Sequence, residues 1–140
     1  VDFGSTLAPV CRLQGIRVVL MIAVEYNLKC WQLDYNTAFL NADVTEELYV
    51  KMTHVYKKFD EKGITLAMRL QNSLNGLYQN PTNWWSTVDE NMAGIAYKLL
   101  KSDPCVYAYS EGGIMAMLIL HVDDVVLLGK DTVLRRTKQK

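Results

Sequence analysis

The chain has 140 residues, 50% of them hydrophobic and 21% charged, with 15 Lys plus Arg balanced by 15 Asp plus Glu. That balance excludes a disordered or low-complexity chain, and the length suits one domain able to bury a core. No apolar run reaches the roughly 18 residues of a membrane span, no secretory leader is legible, and zero net charge supplies no basic footprint for nucleic acid.

From Leu13 to about Tyr26, apolar residues at positions 13, 16, 19, 20, 23 and 24 predict an amphipathic helix. A strand is expected over Cys30 to Tyr35, carrying Trp31, Leu33 and Asp34. After the turn-like pair Asn36-Thr37 comes AFLNAD, then a strand from Leu48 to Met52. The polar KKFDEKG at 57–63 reads as a surface turn between strands. Asn80 has the character of an N-cap and Pro81 of a first-turn residue, so a second helix is expected there. Its Trp84, Val88 and Met92 recur every four residues, and Gly94 is placed to end it. Core packing is expected of Trp84 and the adjacent Trp85 rather than base stacking.

The last third reads as β. CVYAY (105–109) and IMAMLIL (114–120) flank Ser110-Glu111-Gly112-Gly113, a hairpin turn. HVDD then separates IMAMLIL from VVLL (125–128), which makes a second hairpin. Asp131 is placed to cap a helix from Thr132, and the five basic residues between Lys130 and Lys140 read as its solvated face. Cys11, Cys30 and Cys105 are widely spaced, without a CxxC or Cys/His cluster, and read as small buried thiols of a reducing compartment rather than zinc ligands.

Two strings carry chemistry: LDYNTAFLNAD (33–43) and ILHVDDVVLLG (119–129). Each puts carboxylates, Asp34 in one and Asp123 with Asp124 in the other, at the end of a stretch that reads as a buried strand. Asp-Asp at a hairpin tip is by itself a common turn sequence. The apolar flanks raise its significance, because carboxylates in such surroundings need a partner and a divalent cation is the usual one. If the strand ending at Asp34 lies beside the second hairpin, the three carboxylates converge into a site for two metal ions.

With TLAPVCRLQGIRVVL (6–20), SLNGLYQNPTNW (73–84) and DPCVY (103–107), these strings form five ordered motifs. In that order and spacing the chain resembles the reverse transcriptase domain of copia-type LTR retrotransposon Pol polyproteins. The resemblance implies an α+β fold, a polymerase palm-like antiparallel sheet backed by helices, with part of the fingers and no thumb. It implies that residues 1–140 are a piece of a longer reverse transcriptase, truncated at both ends, and the missing initiator Met agrees. The implied activity is RNA-directed DNA polymerisation by two-metal nucleotidyl transfer. Asp34, Asp123 and Asp124 would be its catalytic carboxylates and would hold two Mg²⁺ ions, with Mn²⁺ as a substitute; Asp34 and Asp123 would be the principal ligands of both and Asp124 would support the primer side. Thr37, Ala38 and Phe39 would face the incoming nucleotide, Phe39 excluding a ribose 2′-hydroxyl, and Gly76 to Pro81 would lie under the template and the incoming base. The implied partners are template RNA, a DNA or tRNA primer, deoxynucleoside triphosphates and the rest of the Pol polyprotein. No membrane is involved, and the implied setting is an intracellular virus-like particle.

The sequence also departs from that family. Asn36, Tyr78 and Thr82 stand where the family carries basic residues, Asn75 where it carries Tyr, Ala42 where it carries Gly, and His121 where it carries Tyr. Ala42 is costly if its position needs a positive φ. A non-catalytic relic of a decayed insertion is the alternative expectation. A small RNA-binding module is a weaker one, opposed by the neutral charge.

Overall fold

A computed structural model of the chain describes residues 8–44 and 46–138. Thr6 and Leu7 of the first motif and Lys140 of the basic run lie outside them. The fold is α+β, as expected: a five-stranded antiparallel sheet, a separate two-stranded sheet and three α-helices.

Helix α1 spans Leu13–Glu25 and leads into strand β1, Lys29–Asp34. A 3-10 turn, Ala38–Asn41, follows. Strand β2, Tyr49–Lys51, pairs antiparallel with β3, Ala67–Arg69. Between them Asp60 accepts hydrogen bonds from the Lys62 and Ile64 amides at 2.9 and 2.7 Å, which makes KKFDEKG the expected surface turn. Helix α2, Asn80–Gly94, precedes strands β4 (Lys98–Leu100), β5 (Asp103–Glu111), β6 (Ile114–His121) and β7 (Asp124–Gly129). Helix α3 covers Asp131–Lys138.

The large sheet has the order β1-β7-β6-β5-β4. Both expected hairpins form. Gly112 and Gly113, at φ +57 and +75, make the tight β5–β6 turn, and Val122-Asp123 connect β6 to β7. One sheet face carries Val106 and Met117, which share a cavity with Val19 and Ile22 of α1. The other carries Leu118 and Leu127, which line a cavity with Met92 of α2 and Thr137 of α3. Tyr107, Leu118, Leu127, Leu128 and Leu134 are almost wholly buried and fill the core.

Three expectations are corrected. Gln79, not Asn80, occupies the N-cap of α2. The Asn80 side chain instead donates to the Leu74 carbonyl at 2.6 Å, so the preceding loop takes the group that was to cap the helix. On α1, Val19 and Ala23 are buried but Leu13, Leu20 and Val24 are exposed, so apolar spacing overstated its inward face. Cys11 and Cys105 are buried as expected, whereas Cys30 is exposed because β1 lies at the sheet edge.

Candidate active site

The pairing of β1 with β7 sets Asp34 opposite Asp124, and the pairing of β6 with β7 sets His121 opposite the same Asp124. Cross-strand partners share a sheet face, so His121, Asp124 and Asp34 form one lateral row over three strands. The diagonal neighbour Gln32 donates its side-chain N–H to Asp124 Oδ1 at 3.4 Å. Asp34, Asp123 and Asp124 are all exposed, which corrects the picture of carboxylates sunk among apolar strands. The row reaches the open end of the sheet, and β1 has a neighbour on one side only. The ion pairs seen among the described residues, Lys29–Asp131 and Arg69–Glu47, involve none of the three.

Asp123 sits in the β6–β7 turn, next to Val122 at φ +60. A β-branched residue in that region stores about 1–3 kcal/mol and persists only where its surroundings hold it. Two bonds do so. The indole N–H of buried Trp84, from α2, donates to the Val122 carbonyl at 2.7 Å. The Tyr35 amide, one residue beyond Asp34, donates to the Asp123 carbonyl at 3.0 Å. The Tyr35 and Trp84 rings meet edge to face, with centroids 4.8 Å apart and planes at 72°. Sequence reasoning assigned Trp84 to core packing and gave Tyr35 no role. The available signal was that a buried indole N–H needs an acceptor.

Beside the turn lies a cleft of about 240 Å³ lined by Thr37, Ala38, Phe39, Asn75, Gly76 and Asp123. Three separate stretches of sequence therefore meet there. Thr37 takes the left-handed conformation, φ 57 and ψ 43, and its carbonyl accepts from the Leu40 amide at 2.8 Å. The Asn41 side chain ties this bend by donating to the Asn36 and Thr37 carbonyls at 3.2 and 3.3 Å. Gly76, at φ +99, has nothing within 4 Å of the position a Cβ would take, so its backbone stays open to the cleft. Phe39 is half-buried and also borders an apolar cavity of about 290 Å³ that reaches Trp84, Trp85 and Val122. Among the described residues, no Lys or Arg lines the cleft.

The carboxylates are brought near one another without forming one cluster. Asp34 and Asp124 share the sheet row, while Asp123 lines the cleft. Among the described residues no group of three His, Cys, Asp or Glu side chains is gathered closely enough to hold a metal ion. Ala42 is wholly buried at φ −92, ψ 133, a conformation any residue adopts, so the change from the family's Gly brings no backbone strain.

A family model described as reverse transcriptase (RNA-dependent DNA polymerase) matches residues 1–140. The chain belongs to that family. It is 36% identical over 133 residues to the retrovirus-related Pol polyprotein from transposon TNT 1-94 of Nicotiana tabacum, a match covering 94% of this chain and 10% of the relative. A similar polyprotein from transposon RE2 of Arabidopsis thaliana is 29% identical over 133 residues, covering 95% of this chain and 9% of the relative. The transposon Ty1-DR5 Gag-Pol polyprotein of Saccharomyces cerevisiae is 31% identical over 113 residues, covering 80% and 6%. These relatives bear out the resemblance to copia-type Pol polyproteins. The chain spans about a tenth of the length of the first curated relatives it matches. No solved structure matches it significantly. Among the described residues no helix is long and apolar enough to cross a membrane.

Proposed function

We propose that this chain carries the nucleotidyl-transfer centre of an RNA-directed DNA polymerase, as the palm-like sheet and part of the fingers of a Pol polyprotein. The observation that carries the reading is the register of Asp34 against Asp124, with Asp123 beside it bordering the cleft of Thr37, Ala38, Phe39 and Gly76. A template RNA, a DNA or tRNA primer, deoxynucleoside triphosphates and the rest of the polyprotein would be its partners.

The carboxylates suit Mg²⁺ in kind, as a pair rather than as a cluster of three. That ion prefers hard oxygen ligands and is commonly held by one or two carboxylates, keeping water and substrate phosphates in its other positions. Asp34 and Asp124 offer such a pair, exposed and in neither ion pair found among the described residues, and Asp123 offers a third carboxylate at the cleft. Mn²⁺ would serve through the same oxygens. A bound ion would ease ionisation of the primer 3′-hydroxyl and neutralise charge on the leaving pyrophosphate. The protein itself contributes position. The strand pairing aligns the carboxylates, the bare backbone at Gly76 would admit a base or sugar, and the Phe39 ring bordering the cleft would exclude a ribose 2′-hydroxyl.

The test places this segment in the tobacco relative's polyprotein in exchange for its counterpart and follows Mg²⁺-dependent primer extension on an RNA template. Extension by the parent and none by Asp123→Asn is the expected pair of results. Equal extension by both would remove the catalytic assignment. An inactive parent with all three aspartates intact would favour the relic.

A further inference from the structure

We infer that Trp84 is a positioning residue for the carboxylate-bearing turn, acting through its indole N–H on the Val122 carbonyl. This inference rests on the carboxylate reading proposed above and assigns a role that core packing alone does not require. The peptide between Val122 and Asp123 is the link at issue. Its carbonyl takes the Trp84 bond at 2.7 Å, and the next carbonyl, that of Asp123, takes the Tyr35 amide at 3.0 Å. Both donors approach from outside the hairpin, and their rings pack against each other. A valine at positive φ favours returning to an ordinary conformation, and such a return would rotate the backbone that carries Asp123 and Asp124. Trp84 is 4% exposed, so its indole N–H would be left without a partner if this bond were lost. Tyr35 follows Asp34 directly. One indole therefore connects, through one ring contact and one hydrogen bond, both backbone segments that bear the carboxylates.

The molecule contains its own control. Trp85, adjacent on α2, donates its indole N–H to the Pro104 carbonyl on β5 at 2.9 Å, away from the turn. Trp84→Phe and Trp85→Phe each delete one indole hydrogen bond from the same helix. A merely structural role predicts equal consequences at the carboxylates, whereas a positioning role predicts that they separate.

The experiment uses the 140-residue chain, Mn²⁺ alone as probe and water-proton relaxation to measure binding, with amide hydrogen exchange read separately without metal. Trp84→Phe is expected to weaken Mn²⁺ binding about tenfold, the scale seen when a group orienting metal ligands is removed. It should also speed exchange at the Asp123 and Asp124 amides, while Trp85→Phe stays within about twofold of the parent on both counts. Equal effects of the two substitutions, or parent-like behaviour of Trp84→Phe, would overturn the inference. Asp123→Asn separates the two levels: if it binds Mn²⁺ as the parent does, the carboxylate reading fails, while the exchange comparison still judges Trp84. Should Trp84→Phe not fold, the unsubstituted chain answers instead. On Mg²⁺ addition the Trp84 indole N–H resonance must shift and that of Trp85 must not. An unmoved Trp84 signal overturns the inference.

Discussion

Asp34 and Asp124 stand directly opposite each other across the β1–β7 ladder, on one face of the sheet. Like charges so placed destabilise a strand pair, by roughly 0.2–1 kcal/mol. Asp124→Asn should therefore raise the unfolding midpoint without divalent cation. Mg²⁺ should stabilise the parent, by about 2.7 kcal/mol once its concentration reaches a hundredfold its Kd, and so raise its midpoint while leaving that of Asp124→Asn nearly unmoved. Thermal unfolding with and without Mg²⁺ checks both. A parent indifferent to Mg²⁺ would count against the site.

The Val122 backbone makes a second prediction. It is 43% exposed and held at φ +60, so little burial is lost when the side chain becomes polar. Asparagine tolerates the left-handed region far better than a β-branched residue. Val122→Asn should stabilise the chain by about 1 kcal/mol in urea denaturation.

Asp103 is 3% exposed and ties the start of α1 to β5. Its carboxylate accepts the Arg12 amide and the Cys105 amide, both at 3.0 Å, and the Cys11 thiol at 3.7 Å. Asp103→Ala should cost about 3 kcal/mol, since buried donors lose a charged acceptor. Gly15 lies against the same carboxylate, where a Cβ would come within 2.5 Å of Oδ2. Gly15→Ala should thus destabilise, by about 1–2 kcal/mol, although alanine is the better helix former. A more stable Gly15→Ala variant in urea would refute this packing argument.

Burial pushes the Cys11 thiol up to about 11 and the Cys105 thiol up to about 12, with the Asp103 charge adding to both. Below pH 9 both thiols are protonated whether the chain is folded or not, and their contribution is whole. As pH rises from 9 toward 11 and 12 the unfolded chain releases protons that the fold retains, so stability falls. Denaturant midpoints at pH 8 and pH 10 under reducing conditions should show that fall. The Cys11→Ala/Cys105→Ala double variant should show a smaller one.

Local signals in the sequence were reliable. The glycine pair at 112–113 marked the β5–β6 hairpin, and Pro81 with the four-residue recurrence of Trp84, Val88 and Met92 marked α2. Strand β3 was anticipated only as the unplaced far side of the KKFDEKG turn and β4 not at all, because at three residues each they are too short for alternation to register. The neighbour of β1 was open, because a strand's own residues do not say which distant strand it joins; the structure answers with β7. Exposure was misjudged at the site for a related reason. Apolar flanks describe the middle of a strand, while Asp34, Asp123 and Asp124 stand where the strands run out. Asp103 was noticed only within a motif, and its anchoring bonds depend on a helix more than 90 residues earlier in the chain.

The sheet order has a consequence for how the site comes into being. Strands β5, β6 and β7 are consecutive and close on one another through tight turns, so the hairpin bearing Asp123 and Asp124 needs only local encounters. The strand bearing Asp34 must wait: Gln32 and Asp124 meet across 92 residues, a closure that cannot occur until nearly the whole segment has left the ribosome. Joining β1 to the open side of β7 is then a late step, and it completes the row of carboxylates at the same moment that it completes the sheet. A chain that stalls before that step exposes β7 as an unpaired edge and leaves Asp34 apart from Asp124, so the sheet and the carboxylate row fail together.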